Sequence, residues 1–145
     1  TIEKRSLISV EEELKLVEDY LKLEKIRLEE RLEYEINTSP SCLHYQVPPM
    51  LIQTLSENAI KHGISQLIKG GKLIINSTSD SSFLIMEIIN TGQYIPSALI
   101  SKSVSGFGIE NSIQRLRFIF GKEASFNIKN LNRNEVITTL KIPKT

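Results

Sequence analysis

The sequence predicts an α+β fold, a two-layer α/β sandwich in which helices cover one face of a mixed, mainly antiparallel sheet. Three observations lead to it. A long helical stripe opens the chain and switches to period-two alternation at residues 31–36. Two pairs of strand-like segments are each joined by a short polar turn, as in hairpins. Two further helical segments lie between these strands and carry apolar faces that need a sheet to cover them. A chain of 145 residues suits one such core, burying roughly two-thirds of its unfolded surface.

Ser9 followed by Glu12 is a capping box that opens a long helix. Val10, Leu14, Val17, Leu21 and Leu28 form its apolar stripe, widened by Leu16, Tyr20, Leu23 and Ile26. Glu and Lys crowd the opposite face. We expect residues 1–30 to be a connector helix packed on the domain, and 31–145 to be the domain itself. The strand at 31–36 runs into a turn at 37–41, and His44 is expected on a strand before the next helix. That helix spans 47–63: Pro48 and Pro49 suit its first turn, where no intrahelical N–H is required. Met50, Leu51, Leu55 and Ile60 supply its apolar positions, and Gly63 is a natural stop. Gly70 and Gly71 mark a turn before a hairpin of strands at 72–78 and 83–90 around Asp80, Ser81 and Ser82. Residues 93–105, polar and with Pro96 among several serines, are expected to be a mobile loop. A helix at 109–120 and a hairpin of 124–128 with 136–142 close the chain.

Composition narrows the function classes. A net charge of +1 argues against a nucleic-acid or polybasic membrane surface, and hydrophobic and charged fractions of 40% and 24% are ordinary for a globular protein. Cys42 is the only cysteine, which leaves no intrachain disulfide or cysteine-based zinc site and fits a reducing compartment. No apolar run approaches the length of a membrane span. The opening residues have the look of a cut from a longer protein.

Chemistry concentrates in the run Glu57-Asn58-Ala59-Ile60-Lys61-His62-Gly63. Asn58, Lys61 and His62 stand at i, i+3 and i+4, so one helix face offers an amide oxygen, an ammonium and an imidazole. Phosphate and Mg²⁺ need such groups together. Downstream, Gly106-Phe107-Gly108-Ile109-Glu110-Asn111 leads into an apolar-periodic helix, where glycines let backbone N–H groups approach an anion. Between the two lies Asn90-Thr91-Gly92. In this order the three motifs resemble the N, G1 and G2 boxes of the ATP-binding domain of sensor histidine kinases, the LytS/YpdA-like group in particular. The resemblance covers most of the chain, and its middle motif departs.

The resemblance implies a Bergerat-type ATP-binding fold with ATP and Mg²⁺ as its ligands. By it, Asn58 is the Mg²⁺ ligand, Lys61 reaches a phosphate oxygen and His62 lies against the triphosphate. Asn90 replaces the usual Asp facing the adenine amino group, where its oxygen still accepts that hydrogen bond without charge assistance. Gly92 allows close approach, Tyr94 replaces a second Gly, Gly106 and Gly108 let a lid close over phosphate, and Asn111 sits near the phosphates at a helix start. Glu57 points about 100° away from Asn58. The position one turn before Asn58, which handles water in hydrolysing relatives, is Thr54, a poor base. Neither His44 nor His62 lies in a phosphoacceptor motif, so the chain would be unable to autophosphorylate alone. The implied partners are a phosphoacceptor histidine domain of the same protein, dimeric in the parent, and a response regulator. No nucleic acid or membrane contact is expected for this part, a cytoplasmic domain of a parent in the bacterial inner membrane. The alternatives are an anti-sigma-type serine kinase of the same fold and a degenerate docking module without kinase activity.

Overall fold

The opening stripe forms the expected helix, α1 (Val10–Leu28), in the computed structural model, which describes residues 7–94 and 103–144. Ser9 is its N-cap: the hydroxyl accepts the Glu12 N–H at 3.1 Å and donates to the Glu12 carboxylate at 3.4 Å. Val10, Leu14, Val17, Leu21 and Leu28 are buried in the same core as the sheet. The expected widening of that stripe holds only at Tyr20, which packs partly buried against the core. Leu16, Leu23 and Ile26 are 46%, 68% and 75% exposed, because each stands two residues from a stripe member and so about 200° around the helix.

After β1 (Ile8–Ser9) and α1 come β2 (Leu32–Thr38), β3 (Gln46–Val47), α2 (Leu51–His62), β4 (Gly71–Ser79), β5 (Phe83–Thr91), α3 (Ser103–Phe120), β6 (Ser125–Asn130) and β7 (Glu135–Pro143). The main sheet has the order β2-β4-β5-β7-β6. β2 and β4 are parallel, in register from Leu32↔Gly71 to Thr38↔Ser77, and α2 lies in the crossover that a parallel pair requires. The other neighbours are antiparallel, including the two expected hairpins β4–β5 and β6–β7. β1 pairs separately with β3 through Ile8↔Val47 and Ser9↔Gln46.

Alternation along the strands sorts the sheet into two faces. Leu73 and Ile75 of β4, with Leu84, Met86 and Ile88 of β5, join the core beneath the helices. The outer face carries Lys72 paired with Glu35 at 2.8 Å, and the Lys141 ammonium 4.2 Å from the Phe83 ring centre. The Lys72 ammonium holds the Glu35 carboxyl below its usual range, with the Asn37 amide adding to the effect.

Three local expectations need correction. Pro48 and Pro49 precede α2 rather than opening it, because Met50 takes the N-cap position with φ 71° and starts the helix at Leu51. His44 is exposed in a turn ahead of the two-residue strand β3. α3 begins at Ser103, six positions before the expected start at Ile109, and runs through part of the expected loop. Residues 95–102 of that loop lie outside the described residues.

Candidate functional site

The C-terminal half of α2 places Asn58, Lys61 and His62 on one face, within about 6 Å along the axis. Asn58 is half-buried, and its Nδ2 donates to the Thr54 carbonyl one turn back at 3.0 Å. That bond commits the amide nitrogen to the helix and leaves Oδ1 as the atom able to ligate a cation. Lys61 is exposed, while its carbonyl is held by Ser65 Oγ at 3.0 Å and Gln66 Nε2 at 3.1 Å. His62 is half-buried and lines a cleft of about 350 Å³ at the end of α2.

Thr91, Gly92 and Gln93 form another part of that cleft, and Asn90 lies buried beside them, outside the lining. Asn90 is 5% exposed, and its Nδ2 donates to the Thr91 carbonyl at 3.0 Å. Gly63 packs against it so closely that a Cβ there would come within 2.5 Å of both Asn90 Nδ2 and the Ala59 carbonyl. Gly92 has φ +142°, a conformation reserved for glycine, and its N–H bonds the Asn134 carbonyl at 2.8 Å. Tyr94, expected in a loose loop, is held: its N–H donates to Asn130 Oδ1 at 2.9 Å and its carbonyl accepts from Asn130 Nδ2 at 3.2 Å. Gln66, Arg133 and Asn134 also line the cleft. None of these three was singled out as a site residue from the sequence. The expected hairpin of 124–128 with 136–142 put a turn between them, but no local pattern reveals that this turn meets the end of α2.

The third motif departs from expectation. Gly106 and Gly108 lie inside α3, where the helix itself takes up the backbone N–H groups expected to face phosphate. Asn111 is exposed, eight residues into the helix and about 12 Å from its start, so it is not at a helix N-terminus. α3 is held from Ile109 onward by its buried residues Ile109, Ser112 and Leu116. Asn58 and Lys61 are not among the described residues lining the cleft.

Glu57 bonds within its own helix and lies within the electrostatic reach of Tyr20 on α1. It accepts from Gln53 Nε2 at 3.4 Å and contributes to the field around Tyr20, whose hydroxyl donates to Glu24 at 3.1 Å. Burial, reinforced by the Glu24 charge and hydrogen bond, pushes the Tyr20 phenol well above its usual range.

No protein-family model matches the chain. It is 33% identical to sensor protein LytS of Staphylococcus saprophyticus over 134 residues, which are 86% of this chain and 23% of LytS. It is 31% identical to sensor histidine kinase BtsS of Escherichia coli K12 over 137 residues, 94% of this chain and 24% of BtsS. The chain thus spans about a quarter of the length of the curated relatives it matches. Among solved structures, the catalytic domain of histidine kinase ThkA in a nucleotide-free form shares the fold. Its TM-score is 0.70 at 18% identity, covering 96% of both chains. ThkA has also been solved in complex with response regulator protein TrrA, with a TM-score of 0.66 at 20% identity over 96% of this chain and 41% of that one.

Proposed function

The chain belongs to the sensor histidine kinases of the LytS and BtsS kind, and we propose that it binds Mg·ATP as their catalytic domain. Its role would be to present the γ-phosphoryl group to a histidine of a phosphoacceptor domain elsewhere in the parent protein. The observation that carries this reading is the pair of glycines in the cleft wall, with Asn90 buried behind them. A buried Asn90 amide lies between two glycines, Gly63 and Gly92, and a Cβ at Gly63 would collide with that amide. The cleft of about 350 Å³ is lined mostly by polar side chains, among them His62, Gln66, Arg133 and Asn134, which suits a hydrogen-bonding heterocycle such as a nucleotide base.

Asn90 Oδ1 would accept the adenine amino group, and Gly92 would let the backbone approach the base. His62 and Lys61 would face the phosphates, with Asn111, Gly106 and Gly108 contributing from α3. Asn58 Oδ1 would be the protein ligand to Mg²⁺. The described residues hold no cluster of three His, Cys, Asp or Glu side chains fit for a metal, so phosphate oxygens and water would complete the shell. Bound Mg·ATP would supply the phosphoryl group; the chain would supply position and charge neutralisation. Thr54, one turn before Asn58, is too weak a base to activate water efficiently, which suits a site that keeps its γ-phosphate for a protein acceptor. A response regulator would receive the phosphoryl group from the dimeric parent, which we place in the bacterial inner membrane with this domain on the cytoplasmic side. Among the described residues no helix is long and apolar enough to cross a membrane.

Calorimetry with ATP, with and without Mg²⁺, tests the assignment. Mg²⁺ should strengthen binding to the parent chain, and Asn58→Ala should remove most of that gain without unfolding the protein. Equal affinity with and without Mg²⁺ in both proteins would sink the reading. Labelled ATP should leave the isolated chain unlabelled; acid-labile label on His44 would contradict the two-part arrangement.

A further inference from the structure

Among the described residues, Glu13 is the only charged side chain that is buried, at 0% exposure. It stands on the apolar stripe of α1, three residues after Val10 and four before Val17, where the periodicity calls for an apolar residue. Its carboxylate leaves its own helix and closes on the start of α2. Oε1 accepts the Met50 N–H at 3.0 Å, and Oε2 accepts the Ile52 and Gln53 N–H groups at 2.9 and 3.1 Å. These donors have no partner within α2, and Met50, at φ 71°, makes no side-chain cap bond of its own. A negative charge at this end also complements the helix dipole.

Further ties converge on the same point. Arg115 of α3 donates to the Pro49 carbonyl at 3.1 Å. The Val10 and Glu11 N–H groups of α1 bond the Tyr45 and Leu43 carbonyls at 2.8 and 3.2 Å, and β1 pairs with β3 just before α2. The first turn of α2 is therefore gripped by α1 and α3. Asn58 lies seven residues beyond Leu51 on the same helix, about 10 Å along a rod that does not bend without a specific cause.

We propose that Glu13 is a positioning residue for the nucleotide site. By holding three backbone N–H groups of the first turn of α2, it sets the placement of that helix against α1, so that a displacement of α1 is transmitted to Asn58 and Lys61. This rests on the nucleotide-binding reading above. A carboxylate that only stabilised the fold would change the melting temperature and leave the geometry near Asn58 alone.

The test compares the parent chain with Glu13→Gln and Leu14→Ala, well below the melting temperature of each. Leu14, buried on the same helix, serves as the variant that loses stability without touching α2 caps. Two readouts are taken: NMR resonances of the Asn58 side-chain amide and Lys61 backbone amide in the nucleotide-free protein, and Mg·ATP affinity by calorimetry. Glu13→Gln should shift both resonances and weaken Mg·ATP binding by about tenfold; Leu14→Ala should do neither. Glu13→Asp, which keeps the charge and shortens the reach, should move the same resonances less, and stands in if the amide variant does not fold. Unmoved resonances in the Glu13 variants, or equal movement in Leu14→Ala, overturn the proposal. A parent chain with no Mg·ATP heat but a Glu13-dependent Asn58 shift would instead overturn the nucleotide reading and leave the coupling in place.

Discussion

The two ends of the candidate site are built on different principles. At the end carrying Asn90–Gly92, backbone groups find partners far away in sequence. Gly92 bonds Asn134, Tyr94 and Asn130 bond each other reciprocally, and the Thr91 hydroxyl accepts the Lys72 N–H at 2.9 Å. At the other end, Gly106 and Gly108 sit within α3 and their surroundings in sequence satisfy the backbone locally. The first conformation is imposed by packed neighbours and has little freedom to change. The second rests on a helix carrying two glycines, each costing about 1 kcal/mol relative to alanine, so its balance against a loop is easily shifted. On the proposed nucleotide reading, the base would meet the fixed end and the phosphates the adjustable one.

The largest effect should come from closing the fixed end. In Gly63→Ala the new methyl would sit 2.5 Å from both Asn90 Nδ2 and the Ala59 carbonyl, so the helix end or the Asn90 strand must move. We expect a stability loss of about 2 kcal/mol in chemical unfolding, by analogy with overpacked cores, and nucleotide affinity lowered beyond that of any single change at the other end. Near-normal binding in this variant would mean that the fixed end is not where the base sits.

Gly106→Ala with Gly108→Ala tests the adjustable end. The pair should stabilise α3 by up to about 2 kcal/mol, and if phosphate contact needs the helix to open there, Mg·ATP binding should fall on the order of tenfold while the melting temperature rises. Unchanged affinity would show that the helix persists in the bound state and that phosphates take other donors.

For Asn90→Asp the sequence and the structure point in opposite directions. From sequence, Asp promises charge assistance to adenine and a wider preference for ATP over GTP, because a flipped Asn offers guanine a donor. In the structure the Asn90 NH₂ is held by the Thr91 carbonyl, so a flip would set two oxygens 3.0 Å apart, and a carboxylate would do the same. The expected cost is about 1 kcal/mol of stability, with no gain in ATP preference over the parent. Competition binding with ATP and GTP on both proteins checks it.

Asp80→Ala should have the smallest effect and none at either end of the site, since it lies at the opposite end of the β4–β5 hairpin from Thr91. Hydrogen bonds from the Ser82 and Phe83 N–H groups, both 2.8 Å, hold the Asp80 carboxyl below its usual range. A depressed folded-state pKa gives stability that is present above the ordinary Asp range and is lost as pH falls through the folded value. The melting temperature of Asp80→Ala should therefore lie slightly below the parent at neutral pH and converge with it in acid. A change in nucleotide affinity would show that the far end of the sheet is coupled to the site.

Much of this was legible in the chain itself. The 3.6-residue stripe and capping box specify α1, period-two alternation specifies the strands, and polar turns specify the two hairpins, because each depends on residues within a few positions of one another. The Asn58, Lys61 and His62 face follows from helical spacing alone. Glu13 left a trace too: a carboxylate on an apolar stripe announces a buried partner, though not which one.

What only the tertiary structure decided are the long-range terms. That Glu13 meets the start of α2, that the 130–134 turn meets Gly92 and Tyr94, and that Gly63 abuts Asn90 all join groups about 30 or more residues apart. Their hydrogen bonds and close contacts depend on how whole elements pack. The state of Gly106 and Gly108 belongs here as well, because local propensity disfavours helix at both, yet the structure extends α3 through them from a body anchored by Ile109, Ser112 and Leu116. Short-range periodicity sets which elements form; the partners that finish a buried backbone donor are chosen only when those elements meet.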